Sequence, residues 1–238
     1  DLKEYYLFVS YDPLMTTYNV RVGRSDKAEG PFIDYFGKEL KDTTNNFPIL
    51  TAPYRFKNHP GWAGTAHCAV FTSDDGQYFM AHQGRLSPQN QMMDLHVRQV
   101  FFTKDGWPVV SPERYAGSNP REFSAADLVG EWEIIRVQEP LYERKLEAGQ
   151  ILWGEGELQD EEWNMSHLLY LEKDGKLGED KGTWDFARED QSLQLTLDGE
   201  VVKNLIVFAG HDWENETETV LFTGLDSRGR SVWGKRTK

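Results

Sequence analysis

GWAGTAHCAVF, residues 61–71, joins a turn rich in small residues to an apolar strand and places the imidazole of His67 at the junction. Glycine permits turn geometries and close backbone approaches that larger side chains prevent. A histidine held at the end of such a turn can point into a cavity enclosed by the neighbouring strands. Histidines beside buried strands are more often structural residues, so the stretch alone leaves both roles of His67 open.

The sequence on both sides of this turn predicts short antiparallel strands. Apolar or alternating runs predict strands at residues 5–11, 18–25, 67–72, 77–82, 96–103 and 109–110. The turn Ser73-Asp74-Asp75-Gly76 joins two of them into a hairpin. Since no helical period of any length occurs, residues 1–117 are predicted to be all-β, with the strand density of a propeller blade or a sandwich.

A polar connector at residues 118–128 separates this unit from a second one at residues 129–238. Its predicted strands are residues 131–137, 150–153, 167–172, 182–186, 192–197, 201–208, 218–225 and 231–235. Closure of eight short strands leaves no unpaired edge, which favours a small antiparallel β-barrel. The opening Gly130-Glu131-Trp132 is typical of lipocalin-like barrels.

The charge and the aromatic content of the chain indicate which kinds of molecule it can bind. The 238 residues carry a net charge of −13, which disfavours binding to nucleic acid or to anionic membranes. Aromatic residues make up 13% of the chain and suit surfaces that stack against sugar rings. The only cysteine, Cys68, excludes an intrachain disulfide and is interpreted as a small buried residue.

The sequence enters a strand almost at once and has no initiator methionine. We therefore expect a processed or cut product, from which a leader or a longer upstream segment has been lost.

Motifs for common catalytic chemistry are missing. The sequence has no nucleophile elbow, no paired zinc ligands and no phosphate-binding loop. The acidic run at residues 155–162 and the group Asp212, Glu214, Glu216 and Glu218 are interpreted as solvated loops, with a cation site as the alternative. The residues alone thus indicate a two-domain, aromatic-rich β protein, with carbohydrates as the favoured ligand class.

Several stretches together resemble one enzyme family. They are residues 5–11 followed by 18–25, Glu29-Gly30-Pro31-Phe32, Gly61-Trp62 leading to His67, residues 95–98, and DGWPVVSPERYAG at residues 105–117. The pattern is similar to endo-1,5-α-L-arabinanases of glycoside hydrolase family forty-three, which are five-bladed β-propellers. Residues 129–238 resemble the C-terminal barrel of the longer, extracellular arabinanases.

The resemblance implies an inverting endo-hydrolase that acts on arabinan and is secreted. Inversion needs two carboxyl groups about 6.5–9.5 Å apart. The family's catalytic carboxylates precede the segment matched by residues 5–11, so we expect no catalytic residue in this chain and an N-terminal propeller chain as its partner. Glu29 lies in a similar Glu-Gly-Pro tripeptide, but after a different strand, and is not assigned as the acid.

The same resemblance implies that His67 binds Ca²⁺ at the propeller axis, with water filling the remaining shell. Tyr11, Tyr18 and Trp62 are candidate substrate-binding residues, and core packing is an equal alternative for each. Two other functions stay open. One is a carbohydrate-binding protein without catalysis, and the other is an exo-acting arabinosidase or xylosidase of the same propeller family.

Overall fold

The computed structural model describes residues 4–42, 45–89, 91–117, 120–138, 158–197 and 199–237. In these residues the chain is almost entirely β, with one short helix, α1 (Ala125–Leu128). No helix in the described ranges has the length and apolarity needed to cross a membrane.

The described strands are, in chain order, β1 (Tyr5–Tyr11), β2 (Asn19–Ser25), β3 (Ile49–Thr51), β4 (Tyr54–Arg55), β5 (Trp62–Ala63), β6 (Ala69–Thr72), β7 (Tyr78–Leu86), β8 (Asp94–Phe102), β9 (Pro108–Val110), β10 (Gly130–Arg136), β11 (Asn164–Met165), β12 (His167–Leu171), β13 (Lys176–Leu177), β14 (Gly182–Ala187), β15 (Ser192–Leu197), β16 (Glu200–Asp212), β17 (Thr217–Leu225) and β18 (Ser231–Arg236).

Two sheets make up the first unit. Strands β1, β2 and β3 form an antiparallel three-stranded sheet in that order. Strands β6 to β9 form a four-stranded antiparallel meander, as in a propeller blade, and β7 also pairs with β5. The long strands β7 and β8 are registered over seven residue pairs, so they form the rigid centre of this sheet.

The second unit is a closed barrel of the strands β10 and β12 to β18, sealed by antiparallel pairing of β10 with β18. Alternate side chains point inward and fill it with a hydrophobic core that includes Trp132, Leu193 and Phe222. Gly234 is required beside that core, because a Cβ there would lie 2.1 Å from the Phe222 ring.

The predicted all-β class, a partial propeller followed by a small antiparallel barrel, is confirmed. The barrel has eight strands, but one member differs from the prediction. The predicted strand at residues 150–153 lies outside the described residues, and β13 supplies an eighth strand that begins at the last residue of the predicted turn at 173–176. A strand of two residues gives too short a pattern to be recognised in sequence.

The two units share an extensive buried boundary, which we call the seam. One hydrophobic core joins first-unit residues such as Tyr54 and Trp107 to the barrel residues Ile135, Val137 and Trp233. Strand β11, which lies between two barrel strands in sequence, pairs in parallel with β4. The predicted connector at 118–128 therefore does not act as a hinge between free bodies, since Phe123 and Leu128 are themselves buried in the barrel core.

Candidate functional site

The turn before His67 is fixed by glycine. Gly61 and Gly64 adopt φ values of +103° and +59°, in the region that side chains disfavour. A Cβ on Gly64 would lie 2.7 Å from the carbonyl oxygen of Leu14 and 2.9 Å from Cδ of Arg85. The Gly64 N–H donates to the Thr16 carbonyl at 2.8 Å. Only glycine allows the turn to come this close to its neighbours.

His67 leaves this turn in a left-handed conformation, with φ of 57°. Its backbone N–H donates to Oγ of Ser10 at 3.0 Å, and Gln83 N–H donates to the preceding carbonyl of Ala66 at 2.9 Å. The strand that was predicted to begin at His67 begins at Ala69 instead, because the left-handed residue interrupts it. The result is a backbone held on both sides and an exposed His67 side chain.

His67 lines an open cavity of about 570 Å³, which we call the His67 cavity. Its lining residues are Leu14, His67, Ala69, Ala81, His82, Gln83, Arg85, Met93, Asp94 and Leu95. Gln83 is anchored there by donating Nε2–H to the Gly64 carbonyl at 3.1 Å. The volume falls within the roughly 300–1,000 Å³ of small-ligand sites.

The donor set of this cavity can be compared with what calcium needs. Calcium takes about 6–8 oxygen ligands. Here the described residues offer the imidazole of His67, one carboxylate from Asp94 and one side-chain amide from Gln83, since both ring nitrogens of His82 are already hydrogen-bonded. The exposed His67 ring therefore fits a largely hydrated ion that is held by few protein ligands, and does not fit a closed calcium cage.

The three aromatic residues singled out in the sequence do not line the His67 cavity. Tyr11 and Tyr18 are half-buried, and the Tyr11 hydroxyl donates to Oδ1 of Asn46 at 3.0 Å. Trp62 is buried at 5% exposure, with its ring centroid 4.4 Å from that of His96. A substrate role for Tyr11 and Tyr18 stays a prediction, and the position of Trp62 is that of a core residue.

Beneath the cavity lies a buried pair of histidines that sequence reasoning did not single out. His82 Nδ1 lies 2.7 Å from the Gln83 carbonyl, and Arg98 Nε donates to His82 Nε2 at 2.9 Å. This pattern needs the neutral imidazole, protonated at Nδ1. Burial accordingly lowers the pKa of His82 to about 3, and the Arg98 charge adds to the effect.

His96, the second histidine of the pair, packs against His82 with ring centroids 5.2 Å apart, and neither of its ring nitrogens has a hydrogen bond among the described residues. Burial lowers the pKa of its imidazole as well. Gly84 makes the packing possible, because a Cβ at that position would lie 2.5 Å from the His96 ring. His82 and His96 lie opposite each other on neighbouring strands, and this pairing can be recognised only once the register of β7 and β8 is known.

The densest group of charges lies elsewhere, in the seam. Lys235 Nζ contacts Glu113 Oε1 and Asp212 Oδ1, each at 3.0 Å, and also Oε2 of Glu214. The Lys235 side chain is 0% exposed, and Glu113 and Asp212 are almost fully buried. The prediction of a solvated loop is wrong for Asp212 and Glu214. The sequence predicted a strand that ends at residue 208, whereas β16 continues to Asp212. The longer strand carries Asp212 into the seam.

These carboxylates, which we call the Lys235 cluster, have divergent pKa values. Burial raises the pKa of Glu113 well above its usual range. For Asp212, burial is the largest single influence and raises the pKa. Hydrogen bonds from Asn215 and the charge of Lys235 together outweigh burial, so the pKa of Asp212 is lowered. Such divergence is characteristic of acid and base pairs in hydrolases. Here the pair is closed to solvent and its charge is met by Lys235, so its geometry is that of a structural ion cluster.

The Lys235 cluster is also the one group of three carboxylates close enough to share a metal ion within the described ranges. The Lys235 ammonium contacts all three of its members. A cation other than lysine would have to displace that ammonium.

Cys68 is half-buried and packs against the hydrophobic core of the first unit. Burial raises the pKa of its thiol to about 11, so the thiolate is disfavoured. The described part of the acidic run forms a single 3₁₀ turn, Asp160–Glu162, of exposed or half-buried carboxylates. Residues 155–157 lie outside the described residues.

Comparison with known proteins places this geometry in a family. Residues 112–234, just over half of the chain, match the C-terminal lipocalin-like domain of glycoside hydrolase family 43. The chain is 25% identical over 99% of its length to "Extracellular endo-alpha-(1->5)-L-arabinanase 2" of Bacillus subtilis, and 25% identical over its whole length to "Extracellular endo-alpha-(1->5)-L-arabinanase" of Thermotoga petrophila. It spans about half the length of these curated relatives, 50% and 51% respectively.

A solved structure supports the same fold. The crystal structure of the endo-1,5-alpha-L-arabinanase from Thermotoga petrophila superposes with a TM-score of 0.80, at 23% identity, over 99% of this chain and 53% of that one. The family model matches residues 112–234, and the two curated relatives match both units, so the two comparisons agree. The chain therefore belongs to the glycoside hydrolase family 43 proteins that carry a C-terminal lipocalin-like domain.

Proposed function

We propose that this chain supplies the last blades and the C-terminal barrel of a secreted endo-α-1,5-arabinanase, which cleaves internal links of arabinan with inversion. The single observation that carries the proposal is similarity along both units, at 25% identity, to two proteins named as extracellular endo-arabinanases. The His67 cavity, with its glycine-fixed turn, supplies the part of the site that lies in this chain.

The acid and base of the reaction are proposed to lie outside these 238 residues. The Lys235 cluster is unsuited to that role, because Glu113 and Asp212 are closed to a sugar and paired with an ammonium. The chain also spans only about half the length of the relatives. Inversion then requires a carboxylate pair on blades outside this chain, at a separation of about 6.5–9.5 Å.

The surface around the His67 cavity supports a partner of this kind. Met92, Met93 and Leu95 are 76%, 64% and 75% exposed at or beside the cavity. The strand β6, in which Phe71 is 46% exposed, pairs only with β7 among the described residues. Apolar side chains beside an open strand edge favour burial by further propeller blades. We propose that the N-terminal blades of the same enzyme cover this surface.

His67 is proposed to bind a calcium ion in the completed site. Its ring is exposed in a cavity that also carries Asp94, and its backbone is held by Ser10. When bound, the ion supplies positive charge that lowers the pKa of nearby acids and orders the water around them. The contribution of this chain is to hold the imidazole in place through the left-handed turn and to present an apolar rim.

Of the aromatic candidates, Tyr11 and Tyr18 are proposed as substrate contacts at the edge of the completed cleft. Tyr11 is held by Asn46 and by the Arg21 guanidinium, whose Cζ lies 4.8 Å from the ring centroid. Trp62 is proposed to support the substrate site indirectly, as a buried residue that packs beneath it. Its ring packs edge to face with His96, and the Cζ of the Arg114 guanidinium lies 5.2 Å from the ring centroid.

The test uses the chain together with the propeller blades that complete it. The mixture is incubated with debranched arabinan, and products are followed by size and by anomeric configuration. Early release of mixed oligosaccharides, with the configuration inverted at the cleaved carbon, is expected. Release of single arabinose or disaccharide units from chain ends would replace the endo activity with an exo one. Arabinan binding without any release of sugar would contradict hydrolysis.

A further inference from the structure

A second cavity lies at one end of the barrel and shares no lining residue with the His67 cavity. In β16 and β17, the pairs Val207–Phe222 and Ala209–Val220 face the barrel core. Because side chains alternate, the next pair on that face is His211 and Glu218, which lie opposite each other. These polar residues lie at the end of the barrel's hydrophobic core.

The cavity at this mouth has a volume of about 450 Å³ and a mixed lining. The lining residues are Ala116, Gly117, Arg121, Ala209, Gly210, His211, Thr217, Glu218, Thr219, Val220, Arg236 and Thr237. Mouths of β-barrels are a common position for small-ligand sites, and the volume lies within the usual range of about 300–1,000 Å³.

The groups around this mouth are held by the fold. Arg236 donates from Nε and Nη2 to the Val129 carbonyl at 3.2 and 3.0 Å, and Thr219 Oγ1 donates to the Arg236 carbonyl at 2.5 Å. At the rim, Trp213 is 38% exposed, its ring centroid lies 4.7 Å from that of His211, and its Nε1–H donates to the Arg114 carbonyl at 3.0 Å. The Arg114 guanidinium covers one side of this indole, with its Cζ 4.8 Å from the ring centroid, and the part left exposed offers apolar surface to a sugar ring.

The charges at the mouth indicate a neutral ligand. The guanidinium groups of Arg121 and Arg236 are offset by Glu218 in the lining and by Asp127, whose carboxylate both arginines stabilise. Donors on the arginines and an acceptor on Glu218 match sugar hydroxyls, which both donate and accept. An anionic ligand would meet the Glu218 carboxylate and a protein of net charge −13.

We propose that the mouth of the barrel binds the end of a neutral pentose oligosaccharide, at a second site separate from the one that cleaves the polymer. The identity of the sugar, short α-1,5-arabino-oligosaccharides, rests on the proposed function. The site holds the chain end through Glu218, His211 and Arg236, with the exposed part of Trp213 against the sugar at the rim. The barrel thereby keeps the enzyme on its substrate between cleavage events.

The test is a calorimetric titration of the completed enzyme with arabinobiose, a ligand too short for internal cleavage. Glu218→Gln is compared with Glu216→Gln, its matched control two residues away, which also removes an exposed carboxylate from the β16–β17 hairpin but lies outside the cavity. Affinity is expected to fall about tenfold in Glu218→Gln and to stay unchanged in Glu216→Gln. Trp213→Ala is expected to weaken binding by a similar factor.

His67→Ala is carried through the same titration to assign any binding to one site. Binding that survives His67→Ala and is lost in Glu218→Gln supports the barrel mouth. Binding that is lost in His67→Ala alone, or no binding at all, overturns the proposal. Inorganic phosphate is the anionic probe, and a Glu218-independent phosphate complex that excludes the sugar would also overturn it. If the enzyme cleaves no arabinan but binds xylobiose in a Glu218-dependent way, the proposed function fails while the sugar site stands.

Discussion

The Lys235 cluster and the His67 cavity are two places where titratable side chains gather, and they differ in how those side chains are balanced. In the Lys235 cluster an ammonium meets three carboxylates inside a closed seam. At the His67 cavity an exposed imidazole faces open space beside an apolar rim. The comparison teaches that the densest charges in this chain lie between the two units and are closed to solvent, whereas the sparser site is open, and we propose that a partner and an ion complete it.

Removal of the Lys235 ammonium is expected to have the largest effect on stability. Lys235→Met leaves Glu113, Asp212 and Glu214 facing one another without a cation, which is expected to cost about 3–5 kcal/mol in the free energy of unfolding. Urea denaturation followed by circular dichroism measures it. The control Lys104→Met breaks the exposed pair of Lys104 with Asp190 and is expected to cost about 0–1 kcal/mol. Equal losses in the two variants would show that the cluster is not what holds the seam.

Acid is expected to destabilise the protein through the buried histidine His82. The folded-state pKa of His82 is lowered from 6.5 to about 3, so the unfolded chain binds the proton more readily. The contribution of neutral His82 to the free energy of unfolding is therefore fully present above pH 6.5. It declines as the pH falls towards 3, by about 1.4 kcal/mol per pH unit.

The free energy of unfolding measured at several pH values between 7 and 4 tests this decline. His82→Gln is expected to flatten the slope in that range, and His167→Gln, which changes an exposed residue of the barrel, is expected to leave it as in the wild type. An unchanged slope in His82→Gln would remove His82 as its source.

The turn before His67 is expected to tolerate no side chain at Gly64. Gly64→Ala combines a left-handed backbone with a Cβ 2.7 Å from the Leu14 carbonyl, so a loss of about 1–3 kcal/mol is expected. Gly76→Ala is the matched control, because Gly76 has a φ of +83° but nothing within 4 Å of the added Cβ. It is expected to cost about 1 kcal/mol for the backbone conformation alone. Thermal denaturation compares the two, and a smaller loss at Gly64 would contradict the close packing of this turn.

The smallest stability effect is expected at His67 itself. Its side chain is exposed and makes no hydrogen bond to another described residue, so His67→Ala should change the free energy of unfolding by no more than about 0.5 kcal/mol. The same urea denaturation measures it. A loss comparable with that of Lys235→Met would place His67 among the structural residues.

Sequence patterns predicted the fold where they were long and local. The alternation in β2, the hairpin of β6 and β7 and the regular barrel strands all have periods that a single stretch reveals. The strands β4, β5, β11 and β13 have two residues each, which is too short for a local pattern to reveal. For β11 the pairing also depends on a distant segment, because it pairs with β4 across the seam.

The candidate site was predictable only in part. The glycine-rich turn and its imidazole were visible in the sequence, whereas the proposal that His67 binds calcium came from resemblance. The Lys235 cluster could not be foreseen, because Glu113 lies 122 residues from Lys235 and the acidic group around residue 212 has the composition of a surface loop. Pairing of His82 with His96 likewise required the register of β7 and β8.

The most direct test of the contrast between closed cluster and open site is the calcium dependence of arabinan hydrolysis by the completed enzyme. Initial rates of reducing-sugar release are measured after chelation and after calcium is restored, for the wild type and for His67→Ala. The wild type is predicted to lose activity on chelation and to regain it with calcium, and His67→Ala is predicted to stay inactive at either calcium level while remaining folded. Full, calcium-restorable activity in His67→Ala would contradict the assignment of His67 as the functional ligand of this chain.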